Sequence, residues 1–177
     1  MERIGFFGGC FNPPNNLHIE IAKDLISSGK LDTVVFVPVN DFYKKDGLID
    51  AKHRLNMLKI ATRGFNNIKV EDIEIKENKK LYAVDAFELM KKSKFINLEN
   101  KDNIFYIMGS DNFKKMINWK DYNKLKEEYK YIIVNRDNNI ITSTKVREMI
   151  KEDSKDVKQY INKDVYEYIV KNKLYKE

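Results

Sequence analysis

Ile4-Gly5-Phe6-Phe7-Gly8-Gly9-Cys10-Phe11-Asn12-Pro13-Pro14-Asn15-Asn16-Leu17-His18 is the stretch whose reading decides the fold. Its apolar opening reads as a buried strand, and the glycine pair after it lets the backbone turn tightly and approach a ligand closely. From Leu17 onward apolar residues recur at helical spacing, so the segment is strand, loop and helix, with unpaired helical N–H groups facing an anion. Gly8, Gly9, Cys10, Phe11 and Asn15 are therefore candidate phosphate-binding positions, and His18 stands on the first turn of the helix. Cys10 needs only to be small.

Beyond that stretch, short apolar runs alternate with helical patterns, the arrangement of a parallel sheet covered by helices. The expected strands are Arg3 to Phe7, Thr33 to Val39, Ile68 to Val70, Ile104 to Met108 and Tyr131 to Val134. The expected helices are Leu17 to Ser28, His53 to Ala61 and Val84 to Met90, then one capped by Ser143 and a last one over Val157 to Val170. Gly29 is placed to stop the first helix. No repeat or linker divides the sequence, so residues 1–177 read as a single doubly wound, Rossmann-like α/β domain with its crevice at the carboxyl ends of the strands.

Composition narrows the class. With 42% hydrophobic and 12% aromatic residues the chain can bury a core, which argues against disorder. One cysteine permits no internal disulfide and fits a reducing, cytoplasmic setting. A charged-then-apolar leader and an apolar run of membrane-spanning length are both missing from the sequence, so no membrane partner is expected. The net charge of +6 comes from lysines interleaved with acids, as in Lys76-Glu77-Asn78-Lys79-Lys80. That pattern describes a solvated surface that attracts small polyanions and does not call for a nucleic-acid partner. With two histidines and one cysteine, a protein-held metal cluster is not expected.

The Gly8 to His18 stretch resembles the signature Gly-Gly-x-Phe-x-Pro-x-His-x-Gly-His of the nucleotidyltransferase superfamily typified by nicotinate mononucleotide adenylyltransferase. Asn15 stands where that signature has its first histidine, and Leu17 replaces the glycine before the second. Ile141-Thr142-Ser143-Thr144-Lys145-Val146-Arg147 is similar to the family's Ile-Ser-Ser-Thr-x-Ile-Arg. Hydroxyls at a helix start and a guanidinium one turn later suit phosphate oxygens. Gly109-Ser110-Asp111 resembles the family's Gly-x-Asp turn, with Asp111 either facing the nucleotide or capping a helix, and Trp119 has the spacing of a tryptophan that stacks on a pyridine ring. Leu81-Tyr82-Ala83-Val84-Asp85-Ala86 resembles Tyr-Thr-x-Asp-Thr with both threonines replaced by alanine, and Lys45 aligns with a family lysine in a basic loop. His53-Arg54-Leu55 resembles a helix start that reads as structural, and the Val165 to Tyr175 ending resembles the family's last helix without bearing on chemistry.

What the resemblance implies is adenylyl transfer from ATP to a pyridine mononucleotide, with pyrophosphate released and Mg²⁺ carried by the substrate phosphates. In that scheme His18 and Arg147 are the catalytic residues. Gly8, Gly9, Cys10, Phe11, Asn15, Lys45, Gly109, Asp111, Ser143 and Thr144 bind the nucleotide, and Tyr82, Asp85 and Trp119 bind the acceptor. The resemblance also allows a homo-oligomer. Two alternatives stay open on sequence: the same fold using another phosphorylated acceptor or CTP, and a nucleotide-binding module without turnover. A dehydrogenase is disfavoured, because the loop has two prolines and no Gly-x-Gly-x-x-Gly pattern.

Overall fold

The computed structural model describes residues 1–135 and 142–176. Five parallel strands, β1 (Ile4–Gly9), β2 (Thr33–Pro38), β3 (Ile68–Val70), β4 (Ile104–Gly109) and β5 (Tyr131–Val134), lie in the order β3-β2-β1-β4-β5. The chain winds outward from β1 through β2 to β3, then crosses back to place β4 on the other side of β1. The topological switch therefore falls between β1 and β4, where a doubly wound sheet opens its ligand crevice.

Pleating sorts the side chains by face. Phe6, Val35, Val37, Tyr106 and Met108 point to one side, where α3 (Ala83–Met90) covers them. Phe7, Val34, Phe36 and Ile107 point to the other, beneath α1 (Asn16–Ser27) and Leu58 of α2 (Ala51–Ala61). A third cluster joins α2 to α6 (Ser143–Lys151) and α7 (Lys163–Lys171) through Met57, Val146, Val165 and Ile169. Two short helices, α4 (Ser110–Lys115) and α5 (Tyr122–Glu128), follow β4.

The expected strands and first three helices all form, within about two residues at each end. Gly29 follows α1 with φ +68° while Gly29 N–H bonds Ile26 O and Lys30 N–H bonds Leu25 O, so a glycine closes that helix as expected. Three expectations change. Thr142, not Ser143, caps α6, its hydroxyl oxygen accepting from Lys145 N–H at 3.2 Å. The helix expected over Val157 to Val170 is broken: a 3₁₀ turn covers Lys155–Gln159, and Asn162 starts α7 by accepting from the N–H groups of Asp164 and Val165. An asparagine competes for local backbone donors and so starts helices more readily than it continues them. Finally, Gly8 and Gly9 finish β1, and the turn is made by Phe11 at φ +46°.

Candidate active site

Phe11 tolerates its left-handed backbone because its ring is locked in the core. It packs edge-on to Phe7 and Phe36 at centroid distances of 5.8 and 5.2 Å, and against the His18 ring at 5.1 Å. A side chain at position 9 would place its Cβ 3.0 Å from the Phe11 ring, which is why a glycine stands there. Gly8, near the carboxyl end of β1, is exposed, and Cys10 is half-buried.

The turn delivers the chain to α1, where Asn15 and His18 bind each other reciprocally. Asn15 Oδ1 accepts from His18 N–H at 3.2 Å, and Asn15 N–H donates to His18 Nδ1 at 3.1 Å. The Asn15 oxygen is therefore a helix cap, worth about 1 kcal/mol. Because Nδ1 accepts, the neutral ring carries its proton on Nε2, which makes His18 a donor at that atom. Leu17 rests its side chain against the cluster of Phe7, Phe11 and Leu25.

Two side chains from α6 close on the loop. Ser143 Oγ donates to Pro13 O at 2.8 Å, and Arg147 Nη1 donates to Asn12 O at 2.8 Å while Nη2 reaches Thr144 Oγ1 at 3.3 Å. The two sequence motifs, 130 residues apart at Pro13 and Ser143, are thus one structure. Ile141 of the second motif lies outside the described residues.

Arg54 of α2 supports this assembly from below. It is 0% exposed and donates to Ile49 O at 2.8 Å, Cys10 O at 3.1 Å and Val39 O at 2.8 Å, and it meets Asp41 Oδ1 at 3.3 Å. Arg54 fixes the ends of β1 and β2 together, a structural task in line with its reading from sequence. Burial raises the Cys10 thiol pKa, while the charges of Lys45, Arg54 and Arg147 pull it down, so three cations from three segments act at this loop. Lys44 and Lys45 stand on the exposed loop after β2, beside a cleft of about 550 Å³ that also touches Tyr43 and Leu48.

Glu74, on the segment between β3 and α3, is 5% exposed, and burial pushes its carboxyl up to about 8 against the pull of Arg54. It had no signal in the sequence beyond being one acid in a mixed-charge run.

Across the switch point the other wall is looser. Tyr82, just before α3, is 46% exposed, and the ammonium groups of Lys80 and Lys120 lie 5.0 and 4.9 Å from its ring centroid. Asp85 accepts from Tyr82 N–H at 3.0 Å, using one oxygen to start its own helix. Trp119 is half-buried against the same core cluster as Ala83, so it stands between core and solvent, while Ala86 is buried in that cluster. Gly109 ends β4 beside β1, and Asp111 sits exposed in the first turn of α4, with Gly109 at the cap position.

Two polar residues of the site escaped the sequence reading. Asn12 is 3% exposed and joins the loop to the β2–α2 connection, its Nδ2 donating to Gly47 O at 2.7 Å. Tyr175, expected to bear only on the fold, donates its hydroxyl to Asn12 Oδ1 at 2.8 Å across 163 residues of sequence.

Residues 6–171 match the family described as cytidylyltransferase-like. A relative in Flavobacterium johnsoniae, bearing the name "Probable nicotinate-nucleotide adenylyltransferase", is 31% identical over 99% of this chain and 100% of its own. The chain belongs to the nicotinate-nucleotide adenylyltransferase family. A second member with the same name, from Endomicrobium trichonymphae, is 29% identical over 99% of this chain and 100% of its own. The family's fold is shared with the nicotinic acid mononucleotide adenylyltransferase of Plasmodium falciparum, solved with NaAD, at a TM-score of 0.80 and 20% identity. That alignment covers 99% of this chain and 98% of the other. Among the described residues, no helix is long and apolar enough to cross a membrane.

Proposed function

We propose that this chain is a cytoplasmic adenylyltransferase that moves AMP from ATP to nicotinate mononucleotide, a step of NAD biosynthesis. The observation that carries the reading is the closure of Arg147 and Ser143 onto the Gly8 to His18 loop, at 2.8 Å in both contacts. It gathers loop, histidine and guanidinium at the carboxyl end of β1, where a triphosphate would lie. The names of the relatives support the pyridine acceptor.

The reaction needs no covalent intermediate. A phosphate oxygen of the mononucleotide attacks the α-phosphorus of ATP, and the bridging oxygen between the α- and β-phosphates leaves with the bonding electrons as pyrophosphate. Catalysis is then chiefly positioning and stabilisation of charge on the phosphate oxygens. In this reading His18 donates from Nε2 to an α- or β-phosphate oxygen, and Arg147 with Thr144 binds the departing pyrophosphate. Gly8, Gly9, Cys10 and Phe11 line the approach of the phosphates, and Lys45 adds charge from the β2–α2 loop. Gly109 and Asp111 border the nucleotide across the switch point. Asn15 and Ser143 hold His18 and the loop in place, in addition to the phosphate contact expected of them. Tyr82, Asp85 and Trp119 form the acceptor wall, where an aromatic face suits a flat heterocycle.

Among the described residues no three His, Cys, Asp or Glu side chains converge to hold a metal. In this reading a Mg²⁺ ion would arrive on the triphosphate and keep its water ligands. Such an ion would neutralise phosphate charge.

The test is pyrophosphate release from ATP and Mg²⁺ with nicotinate mononucleotide, with nicotinamide mononucleotide and with neither. Release that depends on nicotinate mononucleotide is the expected result. Release only with CTP or another phosphorylated acceptor, or ATP binding without any release, would replace this reading.

A further inference from the structure

Asn12 connects four parts of the molecule through one residue. Its Nδ2 donates to Gly47 O at 2.7 Å, its Oδ1 accepts from Tyr175 Oη at 2.8 Å and from Ile49 N–H at 3.5 Å, and its backbone oxygen accepts from Arg147 Nη1 at 2.8 Å. The bond from Ile49 is at the outer limit of hydrogen bonding, so Tyr175 is the donor that holds the amide oxygen.

The chain goes out of its way to bring Tyr175 there. After α7, Lys173 takes φ +52° and Tyr175 φ +65°, left-handed conformations that bulky L-residues rarely adopt, and Leu174 N–H bonds back to Ile169 O at 3.0 Å. Such backbone persists where the surroundings dictate it. The result is a tyrosine turned in beneath the Gly8 to His18 loop. Burial raises the Tyr175 pKa strongly despite the nearby charges of Arg147 and Arg54, so the hydroxyl keeps its proton and remains a donor.

We infer that Tyr175 is a positioning residue of the active site: by holding the Asn12 side chain, its hydroxyl sets the backbone carbonyl that clamps Arg147. The inference rests on the phosphate-binding role of Arg147 proposed above. Without the hydroxyl, Asn12 keeps the Gly47 contact and one long bond, its peptide gains freedom, and the guanidinium loses its fixed anchor. Misplacement of a binding group by about 1 Å costs on the order of a hundredfold in rate, and a loosened anchor costs a part of that.

The experiment compares the full-length protein with Tyr175→Phe, Asn12→Ala, the double variant and Leu174→Ala. Steady-state kinetics for ATP and acceptor, calorimetric binding of inorganic pyrophosphate, and Tm are measured for each. Tyr175→Phe is expected to lower kcat/KM for ATP about tenfold and weaken pyrophosphate binding about fivefold, with the acceptor KM within about twofold. The double variant is expected to match Asn12→Ala, since the hydroxyl acts only through Asn12. Leu174→Ala, which loosens the same segment but leaves the hydroxyl, should lower Tm while leaving kcat/KM for ATP within about twofold.

Three results would overturn the inference: unchanged kinetics and pyrophosphate binding in Tyr175→Phe, an equal loss in Leu174→Ala, or multiplicative effects of Tyr175→Phe and Asn12→Ala. If the unaltered protein turned over no pyridine mononucleotide, the functional reading would fall. The pyrophosphate-binding series would still decide the role of Tyr175.

Discussion

Around the Gly8 to His18 loop Asn12, Asn15 and Arg54 are buried and hydrogen-bonded, and His18, Ser143 and Arg147 are half-buried and bonded to its residues, whereas along the wall of Tyr82 and Trp119 the side chains are exposed or half-exposed. Arg54 makes four contacts at 0% exposure; Tyr82 at 46% exposure meets two lysines across its ring. The difference follows from what each side has to do. A phosphate group carries fixed charge and demands donors already aimed at it, and donors stay aimed only when other bonds hold them. A flat heterocycle asks for a face and a little polarity. Tyr82 can therefore change at small cost to the fold, while of the two alanines that stand in place of the family's threonines Ala83 packs against the core cluster and Ala86 is buried in it.

The comparison can be broken most easily at its strongest point. Arg147→Ala and His18→Ala should each lower kcat/KM about a hundred- to a thousandfold in a pyrophosphate-release assay, with Tm within a few degrees of the parent. Retention of full activity in either would remove that residue from the chemistry. Arg54→Met should act on stability instead, since it strands the carbonyls of Ile49, Cys10 and Val39. A loss of about 3 kcal/mol or more is expected in urea denaturation, against less than about 1 kcal/mol for Tyr82→Ala on the exposed wall. Equal losses would mean that the two sides are not built differently.

On the acceptor side, Trp119→Ala should raise the KM for nicotinate mononucleotide about tenfold through lost stacking, while the KM for ATP stays within about twofold. A rise in the ATP term alone would place Trp119 on the wrong substrate. A pH-dependent effect concerns Glu74, whose carboxyl is pushed by burial up to about 8 from an ordinary 4.5. The folded chain then holds the extra proton between those values, so this group lowers stability as pH rises through that window and its cost levels off above about pH 8. Glu74→Gln should gain Tm over the parent progressively from pH 5 to about pH 8 and hold that gain above it. Parallel Tm curves would show that Glu74 does not titrate this way.

Sequence carried the sheet and both motifs because their signals are local. Apolar runs such as Thr33–Pro38 are buried on both faces and read as strands, and a glycine after α1 reads as a stop. What it could not carry were bonds that close over long separations and break a residue's usual habit. Arg54 reads as structural from sequence, but its four acceptors on three separate segments cannot be read there. Tyr175 and Asn12 are 163 residues apart, and nothing in either neighbourhood announces the other. The helix break at Tyr160–Asn162 was missed because apolar spacing continues through it; the Asn162 cap decides it, helped by Asn16 N–H bonding Tyr160 O at 2.8 Å. Substitution at position 15 was visible at once, yet its meaning came only from geometry: the asparagine caps α1 and accepts from the histidine that remains.

The most direct test of the whole account is to identify the products formed from ATP, Mg²⁺ and nicotinate mononucleotide by chromatography with mass detection. Equal amounts of the pyridine–adenine dinucleotide and pyrophosphate, both lost in Arg147→Ala, are the predicted result. Pyrophosphate accompanied by free AMP, or no dinucleotide at all, would contradict it.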